Sequence, residues 1–444
     1  MARLQTPTDA HTILNALAYQ ATGRTDLTAT DTSSFVSVGE TVLSTGVENV
    51  ASALSIVVGK TLIGIKKYTA KVTLLQEMDT GLYTSRVRKI SFYDKDAKES
   101  GWVNTNTHAK NLYNGYDNGT NSGNSVGSMW EQDKPIAIEF NFGGSDVWDF
   151  EISFYEDQLK AAFRNEDEFI AFWNGTIMQK ENEIEEVKEQ FNRMTLINYI
   201  AGIVELGLNQ GKMPLSVVNI TKVYNDEHGT TLTNAQLLSA TYLKGLLETL
   251  VSEFKLASDF MEERGVNYHW SPSKTVDGTT YTALLRHTPK ADQRFFYYKP
   301  LIEKAKAVVM PEIFNPEYLA VEQGEGVTYW QSNKTRMQIY VKPAIPNTSN
   351  PAEQTYAANA INVNVLGVLF DKDACITNFQ FNGADTTPIE ARKKYRNTWY
   401  HNAKNSINDF TENGIVFIMD DSYLAAEAAA AEAAAGGEGA GSGT

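Results

Sequence analysis

The sequence predicts an α+β fold, and three observations carry that expectation. A stretch with period-two alternation runs from Tyr68 to Tyr155, a helical stripe follows from Glu166 to Leu206, and strands mixed with turns fill the chain beyond it. The 444 residues are 42% apolar and 21% charged, a composition that supports a sizeable core and excludes a chain disordered throughout. At about 150 residues per domain, the length suggests roughly three units.

The first 67 residues read as an arm. Thr8 is placed to cap a helix whose apolar face is Ile13, Leu14, Leu17 and Ala21. A Thr/Asp/Ser-rich link reaches Ser34, and a second helical pattern uses Val42, Leu43, Val47, Val50, Leu54 and Val57. So little apolar surface predicts an arm that packs on something other than itself.

From Tyr68 the runs Leu82 to Tyr93, Ile136 to Phe142 and Val147 to Phe154 alternate as strands. Between the first two lies a turn-rich stretch, Asn111 to Gly127, dense in Asn, Gly and Ser, so the whole reads as a long antiparallel excursion. Asn165 and Glu168 offer a variant capping box for the next element. Its stripe is Phe169, Trp173, Ile177, Ile184, Val187, Phe191, Met194, Ile197, Ala201 and Val204. About 40 residues at 1.5 Å each make a rod of roughly 60 Å, with Gly175 as a possible break.

Thr233 and Gln236 form a second capping-box pattern, opening a helix expected to reach Arg264 with Gly265 as its stop. Ile361 to Phe370 reads as a buried strand, and Ile389 to Ile407 fits either a helix or an extended segment. Asn413-Gly414 is a turn signal before the strand Ile415 to Met419. The last 20 residues hold ten Ala and five Gly, which predicts a frayed helix leading into a disordered acidic tail.

Residues with chemistry are scattered. The histidines at 11, 108, 228, 269, 287 and 401 show no metal-ligand spacing, and Cys375 is the lone cysteine, so no metal or cofactor site and no disulfide is expected. Gly123-Asn-Ser125-Val-Gly127 matches a nucleophile-elbow pattern but lacks the flanking strand and helix that lift such a serine. Gly324-Glu-Gly326 and Gly143-Gly144 read as turns or bulges rather than phosphate loops. The acidic pairs Glu185-Glu186, Glu262-Glu263 and Asp420-Asp421 read as solvated faces, because sequence neighbours on a helix point apart. Arg392-Lys-Lys394-Tyr-Arg396, followed by Trp399, Tyr400 and His401, is the one dense basic cluster; it suits either nucleic acid or an acidic protein surface. No catalytic residue is nominated.

Acidic residues outnumber basic ones by 54 to 39, giving a net charge of −15, the opposite of a dedicated nucleic-acid binder. The start lacks a secretory pattern, and the most apolar stretch, Val50 to Ile65, is interrupted by Ser52, Ser55, Lys60 and Thr61. It falls short of the roughly 20 residues needed to span a bilayer. A soluble protein made in a reducing compartment is expected.

The order of arm, excursion, long helix and mixed closing region resembles the Hong Kong 97-type fold of tailed-bacteriophage major capsid proteins. The segments Asp371 to Asn378, Ala391 to His401 and Asn408 to Phe417 also resemble that family's C-terminal sequences. The resemblance implies an N-terminal arm over 1–67, an E-loop over 68–157 and a P domain with spine helix over 158–215. An A domain over 216–375, a return to the P domain over 376–424 and an Ala/Gly-rich tail over 425–444 would complete it. It further implies a non-enzymatic virion subunit, assembled in the host cytoplasm, whose hexamers and pentamers enclose double-stranded DNA. A scaffolding protein, a portal and cement proteins are the implied partners, with no membrane. The competing readings are a tail-tube, baseplate or cement protein, or a polysaccharide-active enzyme with two close carboxylates.

Overall fold

The computed structural model describes residues 7–45, 72, 75–77, 86–93, 135–143, 146–155, 179–276, 278–282, 284–308, 324–347, 353–425 and 427. They build an α+β fold in which one long helix crosses two sheets.

That helix runs Gln179–Val204, about 39 Å at 1.5 Å per residue, and ends in a single π turn, Glu205–Asn209. The part of the expected rod before residue 179, including Gly175, lies outside the described residues. Its middle faces a four-stranded sheet ordered Gln76–Glu77, Cys375–Thr386, Tyr395–Asn408, Asp146–Tyr155. Phe191 meets Phe379 there, ring centroids 5.4 Å apart and edge-on. About two turns later Tyr199 stacks on Phe410 and stands edge-on to Phe370, both at 5.4 Å. Gly202 lies where the Phe410 ring presses on the helix, and any Cβ there would overlap the ring.

The six-stranded sheet is ordered Val217–Asn219, Gly414–Met419, Ile361–Asp371, Gln293–Tyr298, Gly324–Val327, with Gln338–Val341 paired to the start of Ile361–Asp371. Every residue of Gly414–Met419 is buried. The apolar run beginning at Ile415 is what a strand covered on both faces requires. Helix Leu243–Glu262 covers the sheet, its Phe254 standing edge-on to Phe295 at 4.6 Å and to Phe417 at 4.5 Å.

Several sequence expectations change. The helix foreseen from Thr233 to Arg264 is two: Asn234–Leu237, opened by the Thr233–Gln236 capping box, and Leu243–Glu262. Leu237 and Leu243 are both fully buried. Six residues at about 100° each would set them some 120° apart on one continuous helix, so the break lets both face the core. Gly265 is not the stop; its N–H bonds the carbonyl of Arg286 at 2.9 Å. The ambiguous Ile389 to Ile407 segment is extended from Tyr395 onward.

The excursion divides. Arg86–Phe92 pairs antiparallel with Ala137–Gly143 as a hairpin, whereas Asp146–Tyr155 pairs with Tyr395–Lys404 in the four-stranded sheet. The turn-rich stretch 111–127 lies outside the described residues. The closing segment divides too, since Tyr395–Asn408 stays with the four-stranded sheet and Gly414–Met419 crosses to the six-stranded one. Past Leu424 only residues 425 and 427 of the expected tail are described.

At the N-terminus, helices Pro7–Thr22 and Thr32–Ser44 pack on each other. Leu14, Leu17 and Ala18 on the first and Phe35, Val38 and Val42 on the second are buried, so the arm covers its own apolar faces more than its sequence suggested. The second helix begins earlier than expected, because Asp31 accepts from the Ser34 N–H at 2.8 Å while Ser34 Oγ accepts from the Asp31 N–H at 2.9 Å. Val47, Val50, Leu54 and Val57 fall outside the described residues.

Candidate assembly surfaces

The hairpin has two unlike faces, which period-two alternation dictates. Val87, Lys89 and Ser91 share the inner face with Ile138, Phe140 and Phe142. Phe140 meets Trp270 edge-on at 6.4 Å, and the Tyr93 hydroxyl just beyond the strand donates to the Pro272 carbonyl at 2.7 Å. Burial pushes the Tyr93 phenol up to about 12.

Polar groups complete the seat. Lys89 Nζ donates to Asp409 Oδ2, to Glu412 Oε1 at 2.5 Å and to Thr411 Oγ1 at 3.0 Å. Arg286 joins the same cluster, its Nε 3.4 Å from Glu412 Oε1 and 3.1 Å from the Thr411 carbonyl, and its Nη2 donates to Ser91 Oγ at 2.8 Å. Burial opposes the Lys89 ammonium, but the two carboxylates outweigh it and raise its pKa. Burial also raises Glu412, against the pull of Lys89 and Arg286. Sequence reading missed this cluster because its members lie up to 323 residues apart. A charged residue at an inward-facing strand position, Lys89 between Val87 and Ser91, was the available signal.

The outer face is different. Ile90 and Phe92 are 48% and 56% exposed, beside an ion pair of Arg88 and Glu139 at 2.6 Å.

A second surface is the outer face of the four-stranded sheet, where Val147, Asp149, Glu151, Tyr155 and Trp399 are exposed. His401 bridges three strands on it, its Nδ1 2.8 Å from Asp149 Oδ1 and its Nε2 3.3 Å from Asp385 Oδ2. The hydrogen bond to Asp149, reinforced by both negative charges, raises its pKa. Strand alternation separates the basic–aromatic cluster seen in the sequence. Arg392, Lys393 and Lys394 form the exposed tip between two strands, whereas Arg396 is buried and Tyr400 is buried against Phe150, stacked at 4.7 Å. Of the three aromatic or imidazole groups that follow, Trp399 and His401 share the outer face and Tyr400 takes the other, so no continuous stacking platform accompanies the basic tip.

The remaining candidates disperse. His11 sits 5.8 Å from the Phe35 ring, His228 stacks on Tyr224 at 4.1 Å, His269 is buried with its Nε2 on the Leu284 carbonyl, and His287 is exposed. Among the described residues no group of three or more His, Cys, Asp or Glu is placed to hold a metal ion. Cys375 is buried, which pushes its thiol far up. Ser125 and His108 lie outside the described residues. Gly324-Glu-Gly326 is part of a strand rather than a turn. Glu185 is buried and 3.5 Å from Lys188 instead of solvated. Asp421 accepts from the Asn234 N–H at 3.0 Å, a capping role. No described helix is long and apolar enough to cross a membrane.

No protein-family model and no curated protein matches the chain. Among solved structures it is similar to the capsid structure of Staphylococcus phage Andhra, with a TM-score of 0.45 at 10% identity, covering 81% of this chain and 86% of that one. A structure titled for the head fiber and inner core protein gp22 of bacteriophage P68 also scores 0.45 at 10% identity, covering 78% and 83%. The capsid of Myoviridae phage XM1 scores 0.34 at 10% identity, covering 80% and 94%. The similarity is to phage structural proteins. Each alignment spans about four fifths of the chain.

Proposed function

We propose that the chain is the major capsid protein of a tailed double-stranded DNA bacteriophage, a subunit whose hexamers and pentamers tile an icosahedral head. The observation that carries this reading is the two-faced hairpin. Its inner face is seated on the body by ions, hydrogen bonds and aromatic packing, while Ile90 and Phe92 stand exposed on the other side. A lone globule gains nothing from such a strand pair; a subunit that lays it over a neighbour buries it.

In this reading the hairpin is the root of the E-loop, and the long helix with the four-stranded sheet forms the P domain. The six-stranded sheet with helix Leu243–Glu262 forms the core of the A domain. The net charge of −15 then suits a wall that encloses DNA without gripping it. A scaffolding protein, a portal and cement proteins are the partners the reading implies, and the virion, built in the host cytoplasm, is its location. Its subunits bind and tile; none of their residues is given a catalytic role.

Electron microscopy of the overexpressed protein tests this. Shells or hexameric rings are expected, and the double variant Ile90→Asp/Phe92→Asp should stay folded and remain monomeric. Tubes would point to a tail protein, and a wild-type monomer with hydrolase activity would overturn the reading.

A further inference from the structure

The outer face of the four-stranded sheet carries a row of side chains that the hairpin contact leaves unused. Trp399 is the direct cross-strand partner of Glu151 on one side and of Asp385 on the other, so the indole stands in one row between two carboxylates. We propose that this row receives the exposed basic turn, Arg392 to Lys394, of a second copy of the chain. The inference rests on the reading of the chain as an assembling subunit and names one contact through which copies meet.

The row has the chemistry of a cation receptor. Glu151, Trp399 and Asp385 are all exposed. Among the described residues Asp385 has one ion-pair partner, His401 at 3.3 Å, and Glu151 has none. A lysine or arginine laid on the indole would gain cation–π attraction from the ring and charge-assisted hydrogen bonds from the acids beside it. The next row adds a third acid, Asp149, which His401 meets at 2.8 Å. Tyr155 and Tyr395, ring centroids 5.8 Å apart, extend the aromatic surface toward the end of the sheet.

The basic turn is the matching half. The Glu390 N–H donates to the Tyr395 carbonyl at 3.0 Å, the Lys394 N–H to the Glu390 carbonyl at 2.8 Å and the Lys393 N–H to Glu390 Oε2 at 2.5 Å, so its backbone is tied in place. Arg392, Lys393 and Lys394 are exposed, and among the described residues their side chains make no ion pair. On a chain of net charge −15, three adjacent cations without acids of their own call for an acidic surface. The turn cannot serve its own row. Tyr395, where the strand begins, is four residues from Trp399, about 13 Å at 3.3 Å per residue, and the turn lies beyond it, out of reach of a lysine or arginine side chain. Turn and row are different patches, so the contact is heterologous and passes from copy to copy until a ring closes. Each contact is exposed and screened, hence weak alone, and repetition gives it strength.

Two charge-reversed full-length proteins, compared with wild type by sedimentation velocity at low salt, decide the matter. Arg392→Glu/Lys393→Glu makes the turn acidic and keeps the acidic row; Lys394, whose φ is +52°, is left unchanged. Glu151→Lys/Asp385→Lys makes the row basic and keeps the basic turn. Each variant alone sets like charges against each other and should sediment as smaller species than wild type. Mixed in equal amounts, every turn again meets a row of opposite charge, and assemblies of wild-type size should return. The wild-type profile in both variants would overturn the contact while leaving the capsid reading intact, and so would a mixture no larger than its components. Loss confined to the turn variant would assign the turn to another partner, such as nucleic acid, and overturn it too. A wild type that stays monomeric would overturn both readings. Trp399→Leu, which keeps apolar bulk but removes the indole face, should also shrink the assemblies with an unchanged circular dichroism spectrum. It carries the test if a charge-reversed variant fails to fold.

Discussion

The crossing of the long helix and the seat of the hairpin are both buried contacts between distant segments, yet they are built from opposite materials. At the crossing, Tyr199 lies between Phe370 and Phe410 with Gly202 flush against a ring, and the contacts are ring on ring. At the seat, Lys89, Arg286, Asp409 and Glu412 share the burial with Thr411 and Ser91. Aromatic packing draws chiefly on apolar burial and is unforgiving in shape, whereas an ion cluster is costly to leave half-made. The first suits a fixed body. The second suits an appendage whose attachment has to be specified at a few points.

The largest expected effect is at the crossing. Phe410→Ala removes the ring stacked on Tyr199 and should cost about 3–5 kcal/mol in denaturant unfolding. Gly202→Ala forces a methyl into that same ring and should cost about 1–3 kcal/mol. If both variants unfold like wild type, the aromatic crossing is not what joins the two sheets. At the seat, Arg286→Gln should behave differently. Loss of the guanidinium leaves Ser91 and the Thr411 carbonyl without their donor and weakens the hold on Glu412. Hydrogen exchange should quicken across 86–92 and 137–143 while the six-stranded sheet keeps its protection. Uniform loss of protection would merge the two regions into one cooperative unit.

The difference between these regions also explains what the sequence disclosed. The α+β class, the long helix, the hairpin strands and the strand Ile415 to Met419 all announce themselves through local periodicity. The break between Leu237 and Leu243 does not, since only the position of the core relative to both leucines requires it. Likewise nothing local distinguishes Asp146–Tyr155 from the hairpin strands; its partner is 240 residues and more away in sequence. The ion cluster was the least legible of all. Nothing local singles out Asp409 or Glu412, and their meaning comes from Lys89 and Arg286 arriving from other elements. The basic run 392–396 misled in the opposite direction, because neighbours in a strand point to opposite faces and bury Arg396 away from the exposed tip.

The smallest expected effect lies on the exposed sheet face and probes whether a solvated ion cluster can act like the buried one. His401 is held between Asp149 and Asp385, with Glu151 the remaining acid on the neighbouring strand's outer face, and its pKa is raised by the hydrogen bond to Asp149 and by the negative charges. A histidine whose pKa is higher folded than unfolded stabilises fully below its unfolded value, near 6.5, and that contribution fades as pH rises through the folded value. Asp385 is 88% exposed, so solvent screens the pairing and the effect is modest. His401→Gln should therefore lower the melting temperature slightly at about pH 5.5 and leave it equal to wild type at about pH 8.5. A deficit of the same size at both pH values would mean that His401 acts through packing between the three strands. A deficit larger than that of Arg286→Gln would mean that exposure, contrary to the comparison, does not separate the two clusters.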